Sequence, residues 1–178
     1  MVAVFNRIHL GINPYIVNVY RRAIAAGFPQ IDVYMFPNKL EDGTQQTRKL
    51  INLLMSENVL NGNNTIWVDI EDINRFFPTP EQNVKFVHEI VNEINRLYKG
   101  PQGESKVGIY ASKYQWGMLM DKNTDFNLYP LWYPHYDKLP NFSDWTPFGG
   151  WTFDKVRMKQ YWNTTPICGT QIDYNYYP

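Results

Sequence analysis

The sequence predicts an α/β fold, a barrel that begins as β/α repeats and closes with plain strands. Three observations predict it. As far as residue 120, short apolar segments of strand length alternate with segments of helical periodicity. The strands are separated by about 10 to 15 residues of helix, which implies right-handed crossovers and a parallel sheet. Beyond residue 120 the helical periodicity ends, and no glycine-rich phosphate loop supports the alternative of a doubly wound sheet.

Each β/α repeat before residue 120 has residues typical of a strand and of a helix. The strands of these repeats are predicted at residues 3–10, 31–36, 65–70 and 106–110. The first helix starts at Asn13-Pro14, has apolar residues at helical spacing and ends at Gly27, and a second is predicted over 44–58. The third opens at Thr79-Pro80-Glu81-Gln82, which combines an N-cap, a proline at the first helical position and a capping-box partner. A short fourth helix is predicted at 114–120, and plain strands follow at 129–133, 156–162 and 171–175.

Composition excludes several classes of function. The 178 residues carry 17 basic and 17 acidic side chains without charged blocks, which argues against a nucleic-acid partner. No apolar run approaches the ~20 residues that cross a bilayer, so no membrane partner is predicted. Residues 1–5 are too short an apolar run for a secretory signal. The single cysteine and three scattered histidines predict neither a disulfide nor a metal site, and nothing indicates a cofactor.

The most informative segment is Trp67-Val68-Asp69-Ile70-Glu71, at the end of the third predicted strand. Alternate side chains of a strand share a face, so Asp69 and Glu71 project together, and in a parallel barrel this end is the catalytic face. Crowded carboxylates favour a protonated acid beside an ionised partner, which is the arrangement that glycoside hydrolysis needs. The alternative is that Asp69, Glu71 and Asp72 only cap the next helix or face solvent.

Other polar and aromatic residues lie on further strands. Asp173, near the end of the last strand, is either a third carboxylate facing the lumen or a turn aspartate. Asp32 lies early on its strand and is predicted to satisfy a buried hydrogen bond. Tyr110 and Trp132 lie at strand ends, where their rings could stack on sugar faces; packing in the core is the alternative. His135 is predicted to be a loop or structural residue.

Seven blocks of the sequence resemble, in order, those of a known family. They are Ile31-Asp32-Val33-Tyr34-Met35-Phe36-Pro37, Trp67-Val68-Asp69-Ile70-Glu71, Gly108-Ile109-Tyr110 with Trp116, Leu131-Trp132-Tyr133-Pro134-His135-Tyr136-Asp137, Pro147-Phe148-Gly149-Gly150-Trp151, Lys159-Gln160-Tyr161, and Cys168-Gly169 leading to Asp173-Tyr174-Asn175-Tyr176-Tyr177-Pro178. Together they resemble the glycoside hydrolase family 25 lysozymes, the Chalaropsis type, in the branch found in amoebae and nematodes. A related chitinase family has acids where this chain has Asn64 and Trp67, which disfavours that reading.

The resemblance implies a modified TIM-like barrel, (β/α)5(β)3, in one domain over residues 1–178. It also implies cleavage of the β-1,4 bond between N-acetylmuramic acid and N-acetylglucosamine in bacterial peptidoglycan, without a cofactor. Glu71 matches the family's proton donor, Asp69 the carboxylate two residues before it, and Asp173 the acid on the last strand. Tyr34, Tyr110 and Trp132 match positions that line the substrate groove.

The sequence departs from the family pattern at its start. Family members begin with an Asp-x-Ser strand that supplies a catalytic aspartate, whereas 3–10 corresponds to their second strand. We therefore expect an N-terminally truncated barrel that lacks the first β/α unit. The alternative function is an inactive or glycan-binding relative. The resemblance implies a secreted or phagolysosomal location, although the chain as given has no signal peptide.

Overall fold

The computed structural model describes residues 2–4, 12–167 and 170–178, and its centre is a curled, seven-stranded sheet. The strands are β1 (Val2–Val4), β2 (Ile31–Met35), β3 (Ile66–Asp69), β4 (Val107–Tyr110), β5 (Leu131–Pro134), β6 (Val156–Ile167) and β7 (Thr170–Tyr176). They lie side by side in sequence order, with β1 to β6 parallel and β7 antiparallel to β6. The predicted α/β class and parallel sheet are confirmed. Most of the first predicted strand, 5–10, falls outside the described residues.

Four α-helices cover the outer face of the sheet. They are α1 (Ile16–Ala25), α2 (Gly43–Ser56), α3 (Pro80–Leu97) and α4 (Lys113–Leu119). The Thr79 hydroxyl accepts from the amide of Gln82 at 3.4 Å and Pro80 opens α3, so the predicted N-terminus of this helix is confirmed. No α-helix follows α4 in the part of the chain that the structure describes, which agrees with the predicted loss of periodicity. None of the described helices is long and apolar enough to span a bilayer.

The two faces of the sheet have different cores. The helices pack their apolar stripes on the outer face, where Val33, Val68 and Ile109 are fully buried. The inner face has a separate cluster, defined by Tyr34, Trp67, Tyr110, Trp132 and Met158, which we call the inner aromatic cluster. Because strand side chains alternate between faces, Asp69 faces inward with Trp67, on the same side of the sheet as Tyr110 of β4 and Trp132 of β5.

A β-bulge on β6 decides which of its residues point inward. Leu131 pairs with Val156, but the next residue, Trp132, pairs with Met158. The extra residue lets Met158 and Gln160 face inward while Lys159 faces outward. Beyond Pro134, residues 135–155 form loops and a 3₁₀ turn (Phe153–Lys155) that cover this part of the outer face, where the earlier repeats have a helix.

Candidate functional site

Asp69 and Glu71 lie at the carboxyl end of β3. Asp69 is the last residue of the strand, pairs in register with Tyr110 of β4 and is 7 % exposed. Glu71 follows two residues later and is half-buried. Asp72 adopts φ 62° and its carboxylate accepts from the amide of Asn74, which starts a 3₁₀ turn. The predicted capping role at this turn therefore belongs to Asp72.

The inner aromatic cluster lies beside these acids. The Trp132 ring packs edge to face against Tyr110, with centroids 4.7 Å apart, and against Trp67 at 5.8 Å. Tyr34, Tyr110 and Trp132 are 7 %, 5 % and 3 % exposed, so these predicted groove residues form a floor of packed rings. The structure does not present any of the three as an open stacking platform.

Two small features hold Trp67 within this floor. Asp32 is 3 % exposed and accepts from the Trp67 Nε1 at 3.1 Å and from the amide of Thr65 at 2.9 Å. The predicted buried hydrogen bond of Asp32 is thus confirmed. Gly108 of β4 lies opposite Trp67, and the indole ring packs directly on its backbone. A Cβ at residue 108 would lie 2.6 Å from Trp67 Cζ3, which is too close for two carbon atoms.

Gln160 connects the two sides of the site. Its Oε1 accepts from the phenol of Tyr110 at 2.8 Å and from that of Tyr136 at 2.9 Å. Its Nε2 donates to Asp173 Oδ2 at 2.9 Å. On the same face, Asn175 accepts from Trp132 Nε1 at 3.0 Å. Asp173 therefore faces inward, and its interpretation as a turn aspartate is wrong.

The electrostatics place all three predicted acids around one pair of phenols. Burial raises the pKa of Tyr110 well above its usual range, and the charges of Asp69 and Glu71 raise it further. Burial also raises the pKa of Tyr136; its hydrogen bond with Tyr110 lowers the pKa, and the charges of Glu71, Asp173 and Asp69 raise it. Both phenols therefore stay protonated at neutral pH and act as hydrogen-bond donors. The structure brings Asp69, Glu71 and Asp173 into one electrostatic neighbourhood.

A second ionisable cluster lies behind β6, on the outer face. Lys159 is completely buried, and its Nζ donates to Asp137 at 2.7 Å and to Asp144 at 2.6 Å. His135 Nδ1 is 2.6 Å from Asp144 Oδ2, which agrees with its predicted structural role. The ligand atoms of His135, Asp137 and Asp144 lie within 4.8 Å of one another, as in a metal site. The ammonium group of Lys159 lies between the Asp137 and Asp144 carboxylates, where a metal ion would otherwise be held.

Sequence reasoning missed Gln160 and Tyr136 as site residues, although both stand in blocks that carried the resemblance. The available signal was that Gln160 lies two residues from the apolar Met158, so the two share a face of one strand. The bulge shifts the register between β5 and β6, and the sequence alone does not reveal a bulge. Which residues of β6 face inward was therefore not predictable without the pairing.

Comparisons with known proteins agree with this geometry. The family model described as "Lysozyme-like protein 1" matches residues 1–161. "Probable GH family 25 lysozyme 2" of Dictyostelium discoideum is 37% identical over 86% of this chain and 68% of its own length. "Probable GH family 25 lysozyme 3" of the same organism is 34% identical over 94% of this chain, but the chain spans only 34% of that protein.

Solved structures agree on the fold. The muramidase from Acremonium alcalophilum superposes with a TM-score of 0.72 over 99% of this chain and 80% of that chain, at 19% identity. This likeness bears on the fold alone and confirms the TIM-like class predicted from the resemblance. Since the family model covers most of the chain and the first relative is matched over two thirds of its length, this protein belongs to the glycoside hydrolase family 25 lysozymes.

Proposed function

We propose that this chain hydrolyses the β-1,4 bond between N-acetylmuramic acid and N-acetylglucosamine in bacterial peptidoglycan. The observation that carries the proposal is the grouping of Asp69, Glu71 and Asp173 around the Tyr110–Tyr136 pair, at the carboxyl ends of parallel strands. Active sites of barrels of this kind are built at that end. Family membership supports a peptidoglycan glycosidase as the general class.

In this proposal Glu71 is the general acid that protonates the leaving glycosidic oxygen. It is half-buried beside other carboxylates, which favours the protonated form that an acid catalyst needs. Asp69, which is buried, and Asp173 stabilise the oxocarbenium-like transition state or orient the attacking water. Tyr110 and Tyr136 do not compete as bases because their pKa values are raised.

Substrate binding is assigned to the floor and rim of the same groove. Tyr34, Tyr110 and Trp132 form the floor and contribute shape and apolar contact beneath the sugar. Tyr136, which is 44% exposed, supplies the ring that remains accessible at the rim. Bacterial peptidoglycan is accordingly the proposed partner, and a secreted or phagolysosomal location is the setting in which the chain would meet it.

The test is a turbidity assay on bacterial cell walls with Glu71→Gln. Loss of a general acid lowers the rate by about 100-fold or more, so we expect the variant to clear cell walls at least that much more slowly. Glu81→Gln makes the same chemical change at an exposed position on α3 and serves as the control, with clearance expected to be unchanged. Equal clearance by Glu71→Gln and the native chain would show that Glu71 is not the acid.

The second candidate is an inactive relative that binds glycan without cleaving it, for which the exposed ring of Tyr136 beside the inner aromatic cluster would supply a contact. Sedimentation with insoluble peptidoglycan, followed by measurement of released reducing ends, separates the two. Binding without release supports the inactive relative. Release that depends on Glu71 supports the enzyme.

A further inference from the structure

The Gln160 amide is surrounded by groups that fix its orientation. It is 5 % exposed, and its Oε1 uses both lone pairs to accept from Tyr110 and Tyr136. In the opposite orientation, Oε1 would face the Asp173 carboxylate, and two acceptors would meet within hydrogen-bond distance. The neutral phenol oxygens could accept from the amide nitrogen in that orientation, so the two phenols alone would not select one. The contact with Asp173 therefore fixes which end of the amide faces the two phenols.

The same amide joins three separate parts of the chain. Tyr110 ends β4, Tyr136 lies in the loop after β5, and Asp173 belongs to β7. Gln160 itself is on β6, so one side chain links the last strand to the middle of the sheet. Within residues 12–167 and 170–178, the charged groups that act on this network are Asp173 itself and, from the end of β3, Asp69 and Glu71.

We propose that Gln160 is a positioning residue, which aims the Asp173 carboxylate and the two phenols at the reacting sugar beside Glu71. This inference rests on the proposed glycosidase function. Gln160 lies beneath the groove surface and acts through its neighbours, so it is distinct from the acid itself. Because misplacement of catalytic groups by about 1 Å costs roughly 100-fold in rate, loss of this amide should lower kcat much more than it changes KM.

Two substitutions separate positioning from simple packing. Gln160→Leu keeps much of the volume but removes all three hydrogen bonds, and we expect kcat on purified peptidoglycan to fall about 100-fold at every pH. Gln160→Glu restores the pattern only while the introduced carboxyl is protonated, because its carbonyl can accept from the phenols and its O–H can donate to Asp173. Once ionised, it faces a second carboxylate.

The decisive measurement is the ratio of Gln160→Glu activity to native activity across pH. We expect the variant to be within about tenfold of native in acid and to fall to the level of Gln160→Leu as the introduced carboxyl ionises. A pH-independent ratio would overturn the proposal, and so would a Gln160→Leu kcat within about threefold of native. Gln46→Leu is the control and should leave kcat unchanged; Gln46 is a part-buried glutamine of α2 that donates to backbone carbonyls of the loop before this helix.

A measurement on the native chain tests the contact without any activity. In nuclear magnetic resonance spectra, one Gln160 side-chain amide proton should be shifted downfield and protected from exchange with solvent. Asp173→Ala should abolish both effects, since it removes the acceptor. An amide signal that Asp173→Ala leaves unchanged overturns the positioning role. A native chain that shows this signal but clears no cell walls overturns the proposed function instead, so the two failures are distinguishable.

Discussion

Gly108→Ala should destabilise the protein through the inner aromatic cluster. A Cβ at residue 108 would stand closest to Trp67 Cε3, and would lie 2.6 Å from Trp67 Cζ3 and 2.8 Å from Trp67 Cδ2. Carbon atoms pack at about 3.5 Å or more, so the indole would have to retreat by more than about 1 Å. Trp67 is 2 % exposed, and its Nε1 is bonded to Asp32. Its ring therefore has no free direction in which to move.

The size of the effect follows from these contacts. Overpacking a closed core costs about 1 to 3 kcal/mol, and straining the hydrogen bond from Trp67 to the Asp32 carboxylate adds to it. Replacing glycine by alanine returns about 0.4 to 1 kcal/mol by restricting the unfolded chain. We expect a net loss of about 2 kcal/mol in the free energy of unfolding. For a domain of this size that lowers the Tm by about 4 to 8 °C.

Urea and thermal unfolding followed by circular dichroism measure this loss. Gly117→Ala is the matched control, because Gly117 lies exposed in α4 and a Cβ there meets no other atom within 4 Å. Alanine is a better helix former, so the control should gain about 0.5 to 1 kcal/mol. If Gly108→Ala is as stable as the native chain, the inner face does not pack Trp67 against the β4 backbone and our reasoning about the floor is wrong.

Two further predictions concern ionic interactions away from the site. Lys159→Met leaves Asp137 and its neighbouring carboxylate without their buried cation, so urea unfolding at pH 7 should show a loss of about 3 kcal/mol in the free energy of unfolding. Lys122 is exposed, and Lys122→Met should change the free energy of unfolding by less than about 0.5 kcal/mol. Equal effects of the two substitutions would contradict a stabilising role for the Lys159 ion pair. The hydrogen bond from Arg96 lowers the pKa of Glu93 from 4.5 to about 2, so its contribution to stability is complete above pH 4.5 and is lost as the pH falls toward 2. Glu93→Gln should therefore flatten the dependence of the unfolding free energy on pH in that window, and an unchanged slope would argue against the pair.

Local signals in the sequence were sufficient for much of the fold. The capping residues at Thr79-Pro80 place the start of α3 to the residue, because the hydrogen bonds that begin a helix are made within one turn of chain. Strand β6 is less well predicted, since it runs to Ile167 and the sequence pattern ended it at 162. Its outer half is ordered by pairing with β7, which no local pattern reports.

The site divides in the same way. The period of two in a strand was enough to put Asp69 and Glu71 on one side of β3. Asp173 was ambiguous, because a turn aspartate and a lumen aspartate have the same neighbours in sequence. Its inward direction depends on Gln160, and the direction of Gln160 depends on the bulge between β5 and β6.

The sequence by itself thus determined the α/β alternation, the start of α3 and the paired carboxylates, since each depends on residues within a few positions of one another. Tertiary structure alone decided that Asp173 joins that pair, that Tyr34, Tyr110 and Trp132 are a buried floor, and that Lys159 is held by Asp137 and Asp144. These outcomes depend on strand register, on a bulge and on the curl of the sheet. Register and curl are set by many distant contacts at once, so no short stretch of sequence encodes them.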